Sequence, residues 1–299
     1  MKNIIEVADL SKHYRGAKAV DGVSFTIEKN GIYGLAGRNG AGKSTLMQLI
    51  AGQVVKTAGT LQVMDQDPIE NAAVMSNIAF IKEAERYPEN IIPKVSDVLK
   101  FAALIFENWD AEFAEELIAD FRLPKNRRML KLSRGQVSAV GVIVGLASRA
   151  PITLFDEPYL GMDPVARKIF YDHLLADYSQ HPRTILFSTH LIDEAADLME
   201  HVFVMDQGRF VLNAKTDELR GTAMSIEGLT PTVEEFTSGL ETLTIQVIGG
   251  FTRAIVSALN SAQRDAAKDL GLTVNPISLQ ELIISKTNLT EKLETEPAK

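Results

Sequence analysis

The chain has 299 residues, of which 45% are hydrophobic and 23% charged, and its formal net charge is −8. That length allows two domains with buried cores, whereas the negative charge argues against a nucleic-acid partner, because binding to phosphate backbones needs concentrated basic surface. There is no cysteine, so disulfides and thiolate metal sites are excluded, and Glu6 and Asp9 interrupt any signal-peptide apolar region; we expect a cytoplasmic protein.

The first two thirds of the chain are predicted to alternate strands and helices. Strands are predicted at residues 3–7, 23–27, 31–36, 59–63, 78–81, 152–155, 184–188, 202–205 and 209–212. Helical periodicity is found at residues 45–50, 95–121, 135–149, 165–178 and 192–199. This alternation favours a three-layer α/β core, and the helix-rich block of about 84–150 is interpreted as an inserted helical subdomain.

Residues 216–299 differ in character and are predicted to form a small α/β appendage with a polar tail at 291–299. Strands are predicted at 224–229, 242–248 and 272–274. Helices are predicted at 233–240, 251–259 and 279–287.

Residues 37–45 match the pattern G-x-x-x-x-G-K-[ST] between a predicted strand and a predicted helix, which is the context of a phosphate-binding loop. Glycines let successive backbone N–H groups point at phosphate oxygens, and the helix start adds its positive dipole end. Lys43 would contact the β- and γ-phosphates, and Ser44 would hold Mg²⁺. The alternative is a glycine-rich turn before an ordinary helix. The predicted binding residues of the loop are Gly37, Asn39, Gly40, Ala41, Gly42, Lys43, Ser44 and Thr45.

An acidic pair directly follows the predicted strand at 152–155. Asp156 is expected to lie near Mg²⁺, directly or through water, and Glu157 can accept a proton from an attacking water. In the alternative interpretation, both carboxylates only cap the next turn. The phosphate-binding loop upstream favours the catalytic interpretation.

Three further segments accompany the loop and the acidic pair: residues 132–136 read L-S-R-G-Q, residues 160–163 read L-G-M-D, and His190 follows a predicted strand. Over residues 3–215 the sequence resembles the ATP-binding-cassette (ABC) ATPases, with these segments similar to the signature, the D-loop and the switch histidine. The resemblance implies a P-loop NTPase three-layer core at residues 1–215 with an inserted helical subdomain, the ABC ATPase fold, and ATP and Mg²⁺ as cofactors.

The resemblance further implies a head-to-tail homodimer, or a heterodimer with a second ABC ATPase, in which each ATP lies between one phosphate-binding loop and the other subunit's signature. His190 would hydrogen-bond the γ-phosphate and position the water; its alternative is a polar residue without a catalytic role. Tyr14 stands where the family has an aromatic ring against adenine, although a tyrosine at a strand end commonly just packs. The signature and D-loop residues assigned to this site are Ser133, Gly135, Gln136 and Asp163.

Two positions depart from the family pattern. Arg134 replaces the first glycine of the signature, and its long cation cannot reproduce a close backbone approach but can add charge near the nucleotide or the dimer interface. Glu83 stands near the position of the family's usual glutamine, and its oxygen would ligate Mg²⁺. The alternative for Glu83 is an exposed loop acid.

The resemblance is greatest to stand-alone ATPase subunits of bacterial ABC-2-type exporters, on the basis of Arg134 and a loose likeness of residues 277–283 to the tails of that group. It implies an ATP hydrolase that powers transport by separate integral membrane permease subunits, peripheral on the inner face of the cell membrane. The alternatives are an importer ATPase subunit, a soluble ABC ATPase without a transport role, and a degenerate cassette with a regulatory role.

Overall fold

The structure, a computed structural model, describes residues 3–82 and 93–286. The strands are β1 (Asn3–Tyr14), β2 (Ala17–Glu28), β3 (Ile32–Ala36), β4 (Ala58–Val63), β5 (Ile78–Ile81), β6 (Ile152–Phe155), β7 (Thr184–Thr189), β8 (His201–Asp206), β9 (Arg209–Lys215), β10 (Ala223–Leu229), β11 (Thr242–Ile248), β12 (Phe251–Ser257) and β13 (Thr273–Pro276). The helices are α1 (Lys43–Ile50), α2 (Ala72–Met75), α3 (Val95–Ile105), α4 (Ala111–Asp120), α5 (Arg134–Ala147), α6 (Pro164–Gln180), α7 (Ile192–Ala195), α8 (Thr216–Leu219), α9 (Thr230–Thr237), α10 (Ser261–Asp269) and α11 (279–286).

The central sheet has the strand order β5-β6-β7-β3-β8-β9. The pairs β5/β6, β6/β7, β3/β7 and β3/β8 are parallel. Every residue of β3, β6 and β7 is buried, as expected for parallel strands that are covered on both faces. The predicted strands of this sheet are therefore confirmed.

Successive residues of β6 show how the two faces of this sheet are covered. Leu154 belongs to one apolar cluster with Met47 of α1 and Ile5 of β1, which is part of a separate antiparallel sheet of order β2-β1-β4. Phe155 faces the opposite side, where its ring centroid lies 5.4 Å from that of Phe170 in α6. The antiparallel sheet and α1 form the first layer, the central sheet forms the second, and outer helices such as α6 form the third. These are the layers of the predicted three-layer core.

Helix α5 packs closely against the central sheet through glycines. A Cβ at Gly145 would lie 2.4 Å from Cε1 of Phe155, and a Cβ at Gly141 would lie 2.9 Å from Cγ2 of Ile81. Larger residues at these positions would push the helix off β5 and β6. The two glycines therefore let α5 lie directly against β5 and β6.

The chain divides into two compact units, one of Met1–His190 with Leu198–Phe210 and one of Leu191–Asp197 with Val211–Lys299. The functional division at residue 215, the helical subdomain of about 84–150 and the appendage at 216–299 stay predictions. The polar tail at 291–299 lies outside the described residues.

The second unit contains the antiparallel sheet β11-β12-β10-β13. The prediction of a helix at 251–259 is wrong, because Phe251–Ser257 forms β12. Its buried residues Thr252, Ala254 and Val256 alternate toward one face, and Ala254 and Val256 join the apolar cluster of this unit. The helix starts later, at α10, where Asn260 and Gln263 form a capping box.

Two helical segments that precede β8 also differ from the prediction. The predicted run 95–121 is two helices, α3 and α4, because Asp110 begins α4 by accepting a hydrogen bond from the Phe113 N–H at 2.8 Å. The predicted helix at 192–199 is shortened to α7. Among residues 3–82 and 93–286, no helix is long and apolar enough to span a bilayer.

Buried Asp177 near the end of α6 joins several elements of the first unit. Its carboxylate accepts a hydrogen bond from Arg183 Nη1 at 2.6 Å and one from Arg149 Nη2 at 3.0 Å. Arg149, which follows α5, also pairs with Asp110 at the start of α4, with 2.7 Å between Nη1 and Oδ2. Burial lowers the pKa of Arg183 below its ordinary value. One carboxylate thus compensates two partly or wholly buried cations.

We expect the substitution Asp177→Asn to lower the free energy of unfolding by about 3 kcal/mol or more, because it leaves buried arginine charge uncompensated. The matched control is Asp172→Asn on the same helix, where exposed Asp172 pairs with exposed Lys168; that change should cost less than about 1 kcal/mol. Urea unfolding of both variants checks this, and equal losses would contradict it.

Candidate active site

The loop after β3 has a shape that only glycine permits at two positions. Gly42, at the start of α1, has φ of 110°, and a Cβ there would lie 2.0 Å from the carbonyl oxygen of Ala19. Gly37 has φ of 150°, and its Cβ would lie 2.2 Å from the carbonyl oxygen of Met205. The loop is therefore fitted closely between β2 and β8. This is the strand, loop and helix arrangement that the sequence predicts.

A cavity of about 400 Å³ lies over this loop. The loop contributes Asn39, Gly40, Gly42, Lys43, Ser44 and Thr45 to its lining. The acidic pair that follows β6, Asp156 and Glu157, lines the same cavity. The structure thereby brings together the two motifs on which the sequence interpretation depends.

Lys43 is 5% exposed, and its ammonium is held by three oxygen atoms. Nζ donates hydrogen bonds to the carbonyl oxygens of Gly37 at 2.8 Å and Arg38 at 3.1 Å. It also lies 3.5 Å from Oε1 of Glu157. A buried ammonium with such partners is a fixed positive charge aimed at the cavity.

The acidic pair is held in place by Ser188, the fifth residue of β7. The Ser188 hydroxyl donates to Oδ1 of Asp156 at 2.8 Å and accepts from the backbone N–H of Glu157 at 2.8 Å. Glu157 has φ of 48°, in the left-handed region, which is costly for a residue with a side chain. The hydroxyl of Ser188 therefore supports both a carboxylate and a strained backbone position.

His190 lies next to the acidic pair, directly after β7. Its Nδ1 is 3.3 Å from Oε2 of Glu157, and its ring is about half exposed. Glu157 therefore has Lys43 on one carboxylate oxygen and His190 on the other. Lys43, Glu157 and His190 therefore form one connected row of charged or titratable side chains.

The signature and D-loop residues have local structural partners. Ser133 caps α5 by accepting from the Gln136 N–H at 3.2 Å, while Oε1 of Gln136 accepts from the Ser133 N–H at 3.1 Å. Asp163 begins α6 by accepting from the Ala166 N–H at 2.8 Å. A Cβ at Gly135 would lie 2.3 Å from a carbonyl oxygen of the D-loop glycine at 161. The cavity lining does not include them, and their contact with nucleotide stays a prediction.

Other predicted residues also lie outside the lining. Tyr14 is 45% exposed at the end of β1, with Nζ of Lys12 4.9 Å from its ring centroid. Gly37 and Ala41 shape the loop without lining the cavity. Glu83 lies outside the described residues. The roles of Tyr14 and Glu83 at the nucleotide stay predictions.

Several residues at the site were not assigned to it from the sequence. Ala19 and Leu160 line the cavity together with Arg134, the residue in place of the signature glycine. Ser188 and Tyr159 hold the acidic pair and the histidine. Both residues lie close in sequence to a motif, and this is the signal that could have found them. Only the pairing of β6 with β7, however, brings the Ser188 hydroxyl to the acidic pair and the Tyr159 hydroxyl to His190.

Comparison with known proteins identifies the family. The ABC transporter family profile matches residues 20–160. The chain is 30% identical to the energy-coupling factor transporter ATP-binding protein EcfA of Methanoculleus marisnigri, over 73% of this chain and 81% of that protein. It is 25% identical to the bacitracin transport ATP-binding protein BcrA of Bacillus licheniformis, over 74% of this chain and 72% of that protein.

A third relative is the daunorubicin/doxorubicin resistance ATP-binding protein DrrA of Streptomyces peucetius, which is 30% identical over 73% of this chain and 67% of that protein. Among solved structures, an ATP-binding subunit of an ABC transporter superposes with a TM-score of 0.64 at 24% identity, covering 72% of this chain and 91% of that one. That likeness confirms the fold class. The chain belongs to the ATP-binding proteins of the ABC transporter family, whose ATPase domain binds ATP.

The substitution Ser188→Ala should lower the free energy of unfolding by about 1–3 kcal/mol, because the buried Asp156 carboxylate loses a donor and the Glu157 N–H loses its acceptor. Ser179→Ala removes an exposed hydroxyl that donates to the Ala176 carbonyl, and it serves as the control. Guanidinium unfolding of both variants is the measurement. A Ser188→Ala variant as stable as the control would show that the hydroxyl does not support the acidic pair.

Proposed function

We propose that this chain is an ATP-hydrolysing subunit of an ABC transporter, which dimerises around two ATP molecules and powers transport by separate membrane subunits. The observation that carries the proposal is the single cavity in which the phosphate-binding loop faces Asp156 and Glu157. The His190 Nδ1 atom, 3.3 Å from Glu157, supports the same reaction. Buried charge of both signs around a glycine loop suits a phosphate ligand that reacts with water.

In the proposed reaction, backbone N–H groups of residues 39–45 and the Lys43 ammonium bind the phosphates. Phosphate oxygens would compete with Glu157 for Lys43, which lies 3.5 Å from the carboxylate. Glu157, once released from that ion pair, accepts a proton from the attacking water. His190 donates to the γ-phosphate and orients the water. The water oxygen bonds to the γ-phosphorus as the bond to the β–γ bridging oxygen breaks, and ADP and phosphate leave.

The site also fits Mg²⁺. Ser44 and Asp156 line the same cavity and offer a hydroxyl and a carboxylate oxygen, which are the hard ligands that Mg²⁺ prefers. Ser188 donates to Oδ1 of Asp156 and so orients the carboxylate. A bound Mg²⁺ would neutralise phosphate charge. Glu83 is a further proposed ligand, by the family resemblance alone.

We propose that the dimer is head-to-tail, with the signature of one subunit over the nucleotide of the other. The first turn of α5, a helix of 14 residues, begins at Arg134, and the positive end of the helix dipole at this turn suits a phosphate. The residues assigned to this contact are Ser133, Gly135, Gln136 and Asp163, with Tyr14 against the adenine of its own subunit.

The names of the relatives support a transport role and favour export. Bacitracin transport and drug resistance describe two relatives, and the lipopolysaccharide export ATP-binding protein LptB of Haemophilus influenzae is a third. The energy-coupling factor relative keeps an importer as the alternative. We propose integral membrane permease subunits as partners, at the inner face of the cell membrane. Residues 1–215 would form the ATPase domain, and 216–299 the appendage.

The substitution Glu157→Gln should trap ATP. The amide cannot accept a proton from water, whereas the phosphate-binding residues are unchanged, so we expect a hydrolysis rate at least ~100-fold lower and a larger fraction of ATP-bound dimer than in the wild type. Release of radiolabelled phosphate from ATP measures the hydrolysis rate, and size-exclusion chromatography with radiolabelled ATP measures the fraction of ATP-bound dimer. Glu200→Gln, on the segment before β8, is a control that should leave both unchanged. A Glu157→Gln variant with wild-type hydrolysis would show that Glu157 is not the base.

Affinity purification from the native cells in mild detergent should recover a polytopic membrane protein with the tagged chain, and its fold would separate exporter from importer. Untagged cells supply the control. Recovery of ribosomes or soluble enzymes alone would exclude the transporter role and leave the ATPase chemistry standing.

A further inference from the structure

Tyr159, two residues after Glu157, contacts both residues at the end of the neighbouring strand. Its hydroxyl donates to Oγ1 of Thr189 at 2.8 Å and accepts from the backbone N–H of His190 at 2.9 Å. The same oxygen lies 3.5 Å from Nδ1 of His190. One buried hydroxyl therefore bonds to both the Thr189 side chain and the His190 backbone.

The Tyr159 ring adds a second contact. The ring is 3% exposed, and it meets the His190 imidazole edge-on, with 5.6 Å between centroids and 61° between planes. The imidazole itself is about half exposed. Tyr159 is the fixed partner and His190 the accessible one, so the tyrosine limits where the imidazole can lie.

Two short links join the acidic pair, which includes Glu157, to the end of β7. Tyr159 belongs to the turn that begins with the acidic pair, and Oε2 of Glu157 contacts Nδ1 of His190 at 3.3 Å. Ser188 makes the reciprocal connection, from β7 back to the acidic pair. One hydroxyl from each strand end thus joins the base and the histidine into a single rigid arrangement.

We propose that Tyr159 is a positioning residue for hydrolysis: its hydroxyl sets the distance between the His190 imidazole and the Glu157 carboxylate. The inference rests on the proposed ATPase function. Tyr159 does not line the cavity, so it acts through His190 and not on the substrate. A hydroxyl with a merely structural role would affect stability but not the turnover of bound ATP.

The test is the substitution Tyr159→Phe in the full chain, which removes the hydroxyl and keeps the ring. We expect kcat for ATP to fall about tenfold with an unchanged KM, because the loss of one well-placed hydrogen bond corresponds to about one decade in rate. Tyr33→Phe is the matched control, since Tyr33 is also buried and its hydroxyl bonds to the backbone N–H of Glu28, on another edge of the protein. Its kcat should equal that of the wild type at a comparable thermal unfolding midpoint.

A double-mutant cycle separates positioning from general loss. In a His190→Ala background, Tyr159→Phe should reduce kcat no further, because the residue through which it acts is absent. A full tenfold effect in that background would overturn the inference, and so would an unchanged kcat in the single Tyr159→Phe variant. In either case, a defective His190→Ala variant would leave the proposed function in place. If His190→Ala hydrolysed ATP like the wild type, both the role of His190 and this inference would be wrong.

Discussion

Parallel pairing of β3, β6 and β7 is the constraint on which the site depends. Parallel strands end at the same edge of a sheet, so the segments that follow them meet there, however far apart they are in sequence. The phosphate-binding loop follows β3, the acidic pair follows β6, and His190 follows β7. Strands that carry no catalytic side chain therefore assemble the site.

At that edge, electrostatics couples the three segments. Glu157 lies between the Lys43 ammonium and the His190 imidazole, at 3.5 and 3.3 Å respectively. Such an arrangement responds to an arriving phosphate, because a new anion near Lys43 changes what holds Glu157. In the proposed reaction, this change frees the Glu157 carboxylate from its ion pair so that it acts as the base. Ser188 and Tyr159 keep that backbone in place.

Most of the site could be predicted because its motifs are local: the glycine loop and the acidic pair are each contiguous, and their flanking strands read as apolar runs. Ser188 and Tyr159 could not be assigned, because their roles depend on the register that pairs Phe155 with Phe187. In the second unit, β12 was predicted as a helix. Over so short a run, its apolar residues between 251 and 259 fit both the helical and the strand period. Hydrogen-bonded pairing with β10 and β11 makes this segment a strand.

The most direct test of the account is phosphate release from ATP by the purified chain and by its Lys43→Ala variant. Lys43 is the only residue of the described cavity lining that supplies an ammonium group. The account predicts Mg²⁺-dependent release by the wild type and release at background level by the variant, with Lys168→Ala, an exposed change on α6, behaving as the wild type. Equal rates in the wild type and Lys43→Ala would contradict the assignment of this cavity as the site of ATP hydrolysis.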